Sequence, residues 1–280
     1  MAYETFDFTV ADKVGHIRFN RPDKRNSMTL AFWQEMRAVF AEIDGRDDVR
    51  TVVISSTGPH FTAGMDLSVF GSLTPPNVEE GRKRENLRRQ ILWFQECFSV
   101  IDRARVPVLA AIQGGCIGGG VDLATACDMR YCSADAFFTV KEIDIGMVAD
   151  VGTLQRLPHA MPAGLARELC YTGRRMEAGE AQACGLVNQV FATPEKLVEG
   201  VLEIARAIAA KSPLAISGTK EMLNYARDHS IVDGLNYIAT WNAGMLLTAD
   251  MPEAFAATAQ KRPAKFEDLA AEVPAAKAKR

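Results

Sequence analysis

VLAAIQGGCIGGGVDLATAC occupies residues 108–127. Its first five residues form an unbroken apolar run, as a strand buried on both faces requires. Its last seven have the composition of a helix, and five glycines lie between the two. A strand handed to a helix through a backbone stripped of side chains leaves the first helical amides without intrahelical partners. Such amides suit a developing oxyanion, and the helix dipole adds to the effect. Glycine serves close strand-to-helix packing equally well, so the residues alone leave both readings open. Neither a Gly-x-Gly-x-x-Gly fingerprint nor a Gly-Lys-Ser/Thr phosphate loop can be laid over this stretch.

Working outward, Phe6, Phe8 and Val10 alternate with polar residues, Asp12-Lys13 makes a turn, and Val14 to Phe19 resumes the alternation, which predicts a β-hairpin. A polar loop at 22–26 precedes helical spacing from Met28 to Ile43, ending near Gly45. Thr51-Val-Val-Ile54 predicts a buried strand, and 78–104 a long amphipathic helix that stops before Pro107. Strands are expected at 129–132, 137–140 and 187–191, and helices at 163–172, 177–184, 195–211, 213–228 and 231–247. Strands alternating with helices give an α/β fold. The pattern divides into a mixed core over 1–200 and a helical region over 201–280.

A second loop, His60-Phe-Thr-Ala-Gly-Met-Asp-Leu67, also brings a glycine to a helical start, leaving the Met65 amide free to donate; a plain turn is the alternative. Acidic residues supply the other half of a proton-transfer site. Asp122 follows the glycines directly, while Glu142 and Asp150 lie among Val140, Ile143, Met147, Val148, Ala149 and Val151. Burial among apolar side chains raises carboxyl pKa values into a range useful for acid–base work. Each acid also has a structural alternative: a first-turn acid for Asp122, an ion-pair partner of Lys141 or an arginine for Glu142, and a helix cap for Asp150.

Composition narrows the classes. With 32 basic against 35 acidic residues the net charge is −3, which argues against phosphate neutralisation and so against nucleic acid as a partner. No apolar run is long enough to span a membrane. The four histidines are far apart, none of the six cysteines forms a Cys-x-x-Cys pair, and Gly-x-Ser-x-Gly is absent, so neither a metal site nor a serine nucleophile is indicated. MAYETFDF lacks the features of a targeting leader, AKAKR is not a peroxisomal tripeptide, and the scattered cysteines read as reduced thiols. A cytoplasmic protein is the expectation.

AGMDL at 63–67, AAIQGGCIGGGVDLATACD at 110–128 and GTLQRLP at 152–158 together resemble the crotonase (enoyl-CoA hydratase/isomerase) superfamily, from Asn20 to Arg262. The resemblance implies a spiral of ββα units with a helical carboxyl-terminal trimerisation region, assembled as homotrimers or hexamers. It implies an acyl-CoA thioester substrate, no separate cofactor, and an oxyanion hole formed by the amides of Met65 and Gly119. Arg25, Ala63, Gly64, Asp66, Leu67 and Gly118 would contact the substrate or its CoA, with Lys261 reaching it from a neighbouring subunit. Residues 116–158 are most similar to Δ3,5-Δ2,4-dienoyl-CoA isomerases, in which the residues matching Asp122, Glu142 and Asp150 form the catalytic acidic group. The implied reaction is a 1,5-proton shift in the oxidation of unsaturated fatty acids. A 2-enoyl-CoA hydratase using Glu142 and water, and a non-catalytic acyl-CoA or RNA-binding scaffold, are the rival readings. Hydratases carry Glu at the Asp122 position and a glycine-rich stretch in place of Met147-Val-Ala-Asp150.

Overall fold

The computed structural model describes residues 2–71 and 78–271; the AKAKR end lies outside them. In chain order the strands are β1 (Phe6–Ala11), β2 (Val14–Phe19), β3 (Thr51–Ser56), β4 (Val108–Ile112), β5 (Gly115–Ile117), β6 (Met129–Ser133), β7 (Phe137–Thr139), β8 (Met176–Glu177) and β9 (Gln189–Phe191). The helices are α1 (Leu30–Asp44), α2 (Leu67–Phe70), α3 (Glu80–Arg103), α4 (Gly119–Ala126), α5 (Thr153–Ala160), α6 (Ala163–Thr172), α7 (Ala178–Ala183), α8 (Pro194–Ala209), α9 (Pro213–Ala226), α10 (Ile231–Met245) and α11 (Asp250–Ala259).

The hairpin between β1 and β2 turns on Asp12 and Lys13, both at positive φ (52° and 64°), the geometry that matches the twist of antiparallel strands. From β2 the main sheet continues in parallel through β3, β4, β6 and β9. In β3 and β4 the side chains part by alternation. Val52, Ile54, Val108, Ala110 and Ile112 enter the larger core with α1 and α3, whereas Val53, Leu109 and Ala111 face Leu197, Val201 and Ala205 of α8. Continuous apolar runs are what burial on both faces demands. On the larger side Trp33, Phe40, Phe61 and Phe98 are fully buried, each contributing ~1.5–3 kcal/mol relative to exposure. Position 200 falls inside α8, and the helices α9 to α11 follow it.

A second sheet, in the order β5-β7-β8, places the glycine stretch beside Phe137–Thr139. Its first strand is not expected from a glycine-rich sequence, because glycine disfavours strands; pairing with β7 decides it. Three more elements escape the periodicity. In α5 eight residues carry only two leucines and a proline at 158, β8 has two residues, and α11 begins with Asp250-Met-Pro. The six cysteines are free.

Candidate active site

Two loops build the centre. Met28 donates its amide to the Gly64 carbonyl (2.9 Å) and accepts from the Asp66 amide (3.1 Å), so the intervening Met65 N–H points the other way. Gly64 sits at φ +83°, and a Cβ there would lie 2.6 Å from the Ile117 carbonyl oxygen; only glycine lets the two loops approach so closely. Across this contact, Gly119 begins α4 and its amide has no intrahelical acceptor. A Cβ on Gly119 would stand 3.7 Å from the Met65 nitrogen, so the two amides are neighbours.

They open into a cavity of about 140 Å³ lined by Ala63, Gly64, Met65, Leu67, Gly118, Gly119, Glu142 and Asp150, among others. A larger apolar space of about 470 Å³ adjoins it, walled by Leu87, Ile91 and Phe94 of α3 and by Phe70, Ile145 and Met147. Asp150 lines both spaces and Glu142 only the first. Both carboxyls therefore face the chamber of the amides, and Asp150, like Met65, also borders the apolar extension.

Burial raises the pKa of both Glu142 and Asp150, and the charge of Asp150 pushes Glu142 further in the same direction. Glu142 Oε2 is buried with no hydrogen-bond partner among the described residues. The Lys141 ammonium pairs with Asp144 instead, and among the described residues no arginine pairs with Glu142. Nor does Asp150 cap a helix, since the N-cap of α5 is Gly152. Asp122 is fully buried behind this chamber and does not line it. Its Oδ1 accepts the Thr153 amide at 2.6 Å while Oδ2 has no partner among the described residues. Burial, and then the charge of Glu142, push the Asp122 pKa up to about 7.

Of the remaining expected contacts, Asp66 caps α2, accepting from the Ser68 amide and from the hydroxyls of Ser68 and Ser27. Arg25 holds a left-handed turn whose carbonyl accepts the Ala63 amide, and its side chain is exposed. Lys261 is exposed after α11. None of these three lines the cavity of this single chain. Sequence reasoning missed Thr153, Trp33 in the cavity wall, and Gln95, whose Nε2 donates to the Asp150 carbonyl at 2.7 Å. No local pattern marks them, because each acts on a distant segment. A cavity of about 530 Å³ beneath α9 is larger, but its charged groups are already engaged: Lys220 with Asp128, Arg227 with Asp102, and Arg130 with carbonyls.

Paired backbone amides beside carboxyls in an apolar cleft are groups suited to stabilising a developing oxyanion while a proton moves. A family model described as Enoyl-CoA hydratase/isomerase matches residues 9–269, and the chain belongs to that family. The mitochondrial Δ3,5-Δ2,4-dienoyl-CoA isomerase of Homo sapiens is 48% identical over 268 residues, covering 94% of this chain and 82% of that protein. The peroxisomal enzyme of the same name from Arabidopsis thaliana is 45% identical, covering 91% and 93% respectively. Among solved structures, an enoyl-CoA hydratase from Bacillus anthracis superposes with a TM-score of 0.85 at 29% identity, covering 94% of this chain and 99% of that one. These matches bear out the crotonase-like α/β fold. They correct the expectation of a cytoplasmic protein, since the relatives are named mitochondrial or peroxisomal, which points to organelles. Such addresses are read by receptors from short segments, so the scattered thiols of the folded chain do not tell one compartment from another.

Proposed function

We propose that this chain is a Δ3,5-Δ2,4-dienoyl-CoA isomerase acting in the oxidation of unsaturated fatty acids. The observation that carries this reading is that Glu142 and Asp150 both line the apolar chamber of the Met65 and Gly119 amides, with Asp150 also bordering the apolar space beyond it. The thioester oxygen lies between those amides. Glu142, as carboxylate, removes a proton from C2 of a 3,5-dienoyl-CoA, and the negative charge spreads over the conjugated chain to the oxygen. Protonated Asp150 delivers its proton to C6, giving the 2,4-dienoyl-CoA and leaving Glu142 protonated and Asp150 ionised. C2 and C6 are too far apart along a flat conjugated chain for one carboxyl to serve both. Asp122 acts through Glu142 without touching substrate. Ala63, Gly64, Leu67 and Gly118 shape the thioester end; Arg25, Asp66 and a neighbouring subunit's Lys261 are its outer contacts to CoA.

The reading includes self-association as a homotrimer or hexamer. In support, α10 has no buried residue in the single chain and exposes Ile231, Val232 and Leu235.

The test supplies the protein with 3,5-dienoyl-CoA and, separately, with 2-enoyl-CoA. The expected result is absorbance of the 2,4-diene from the first; hydration of the second with no isomerisation overturns the reading in favour of a hydratase. Asp150→Asn is expected to lower isomerisation by about 10²-fold or more, the usual share of a positioned acid, while acyl-CoA binding persists. Unchanged isomerisation removes Asp150 from the mechanism.

A further inference from the structure

Asp150 stands between Ala149 and Val151, both buried in the main core, on backbone that belongs to no helix or strand. The segment from Met147 to Asp150 has no regular secondary structure, and the glycines flanking it, Gly146 and Gly152, lie at φ +74° and +134°. Gly146 is tied back to Ile143 and Met147 to Glu142, while Gly152 belongs to the start of α5, accepting from the Gln155 and Arg156 amides. Between these ends, the hydrogen bond that joins Asp150 to another element among the described residues is that from Gln95 Nε2 to its carbonyl oxygen, 2.7 Å long and 55 residues apart in sequence. Gln95 stands on α3, one residue beyond Phe94 and four beyond Ile91, both in the wall of the apolar extension. One rigid helix thus shapes the space beyond Asp150 and grips the backbone that carries it.

From this we infer that Gln95 is a positioning residue for the acid that protonates the distal carbon. Its amide fixes the Asp150 main chain and thereby the reach of the carboxyl toward C6, with no part in proton removal at C2. The inference rests on the isomerase reading above. Glu142 stands on the 3-10 turn Lys141–Ile145, and the Met65 and Gly119 amides belong to other elements, so the Gln95 contact touches none of the groups that act at C2. A misplacement on the order of 1 Å at a reacting group costs about 10²-fold, which sets the scale of the effect.

The experiment compares wild type with Gln95→Met, which keeps the length and bulk of the side chain but removes the donor, and with Gln95→Asn, which keeps the amide but shortens its reach. Two rates are read for each: isomerisation of a 3,5-dienoyl-CoA, and deuterium uptake at C2 of a 3-enoyl-CoA in D2O, which needs only Glu142 and the amide pair. Both variants are expected to lose about 10- to 100-fold in kcat for isomerisation, with KM and C2 exchange within about twofold of wild type. An equal fall in both rates shows a general structural role and overturns the inference, as does isomerisation at the wild-type rate in either variant. Should one variant fail to fold, the other decides by the same two rates. A wild type that exchanges C2 but isomerises no dienoyl-CoA refutes the function itself, so the two failures are distinct.

Discussion

Replacing Asp122 by asparagine isolates the energetic cost of placing a carboxyl where water cannot reach it. Oδ1 already accepts the Thr153 amide and Oδ2 has no partner among the described residues, so the amide preserves shape and the one hydrogen bond while abolishing titration. With its pKa raised from 3.8 to about 7, the native carboxyl holds a proton that the unfolded chain releases. Between about pH 4 and pH 7 the native state therefore binds more protons, and stability falls as pH rises through that window. At about 1.4 kcal/mol per pKa unit the loss is on the order of 4 kcal/mol. Above the window it is complete and constant. The variant escapes it, paying instead a pH-independent cost for its buried NH2 group. Urea denaturation of both proteins at half-unit steps from pH 5 to pH 8 is expected to show the stability difference moving steadily in the variant's favour and levelling off above about pH 7. Parallel stability curves across that range refute the reasoning, because they mean Asp122 ionises in the folded protein as readily as in the unfolded chain.

Gly64→Ala is expected to cost about 10²- to 10³-fold in kcat, the usual loss of one oxyanion donor, because its Cβ would meet the Ile117 carbonyl and displace the Met65 amide; steady-state kinetics beside a binding measurement with a saturated acyl-CoA will show whether the loss lies in kcat. Lys220→Met is expected to destabilise the fold by about 3–5 kcal/mol, since the ammonium bridges Asp128 and the carbonyls of Ile101 and Val106; a urea midpoint unchanged from wild type would count against that bridge.

The sequence by itself determined the local elements and the kinds of group at the site. Alternation in β1 and β2, the unbroken apolar runs of β3 and β4, and the apolar stripes of α1 and α3 are one-dimensional patterns, because each reports which side of its own element meets the core. The glycines at 64 and 118–120 and the three acids are legible for the same reason: their backbone freedom and charge are properties of the residues themselves. Tertiary structure alone decided which groups meet. That Asp122 lies behind the chamber while Glu142 and Asp150 face it depends on how α4, the 3-10 turn and the segment before α5 pack together. That β5 forms at all depends on β7, and the Asp150 carbonyl meets a glutamine 55 residues earlier in the chain. These arrangements arise from long-range contacts whose partners share no period and no spacing, so only the closed fold brings them within hydrogen-bonding distance.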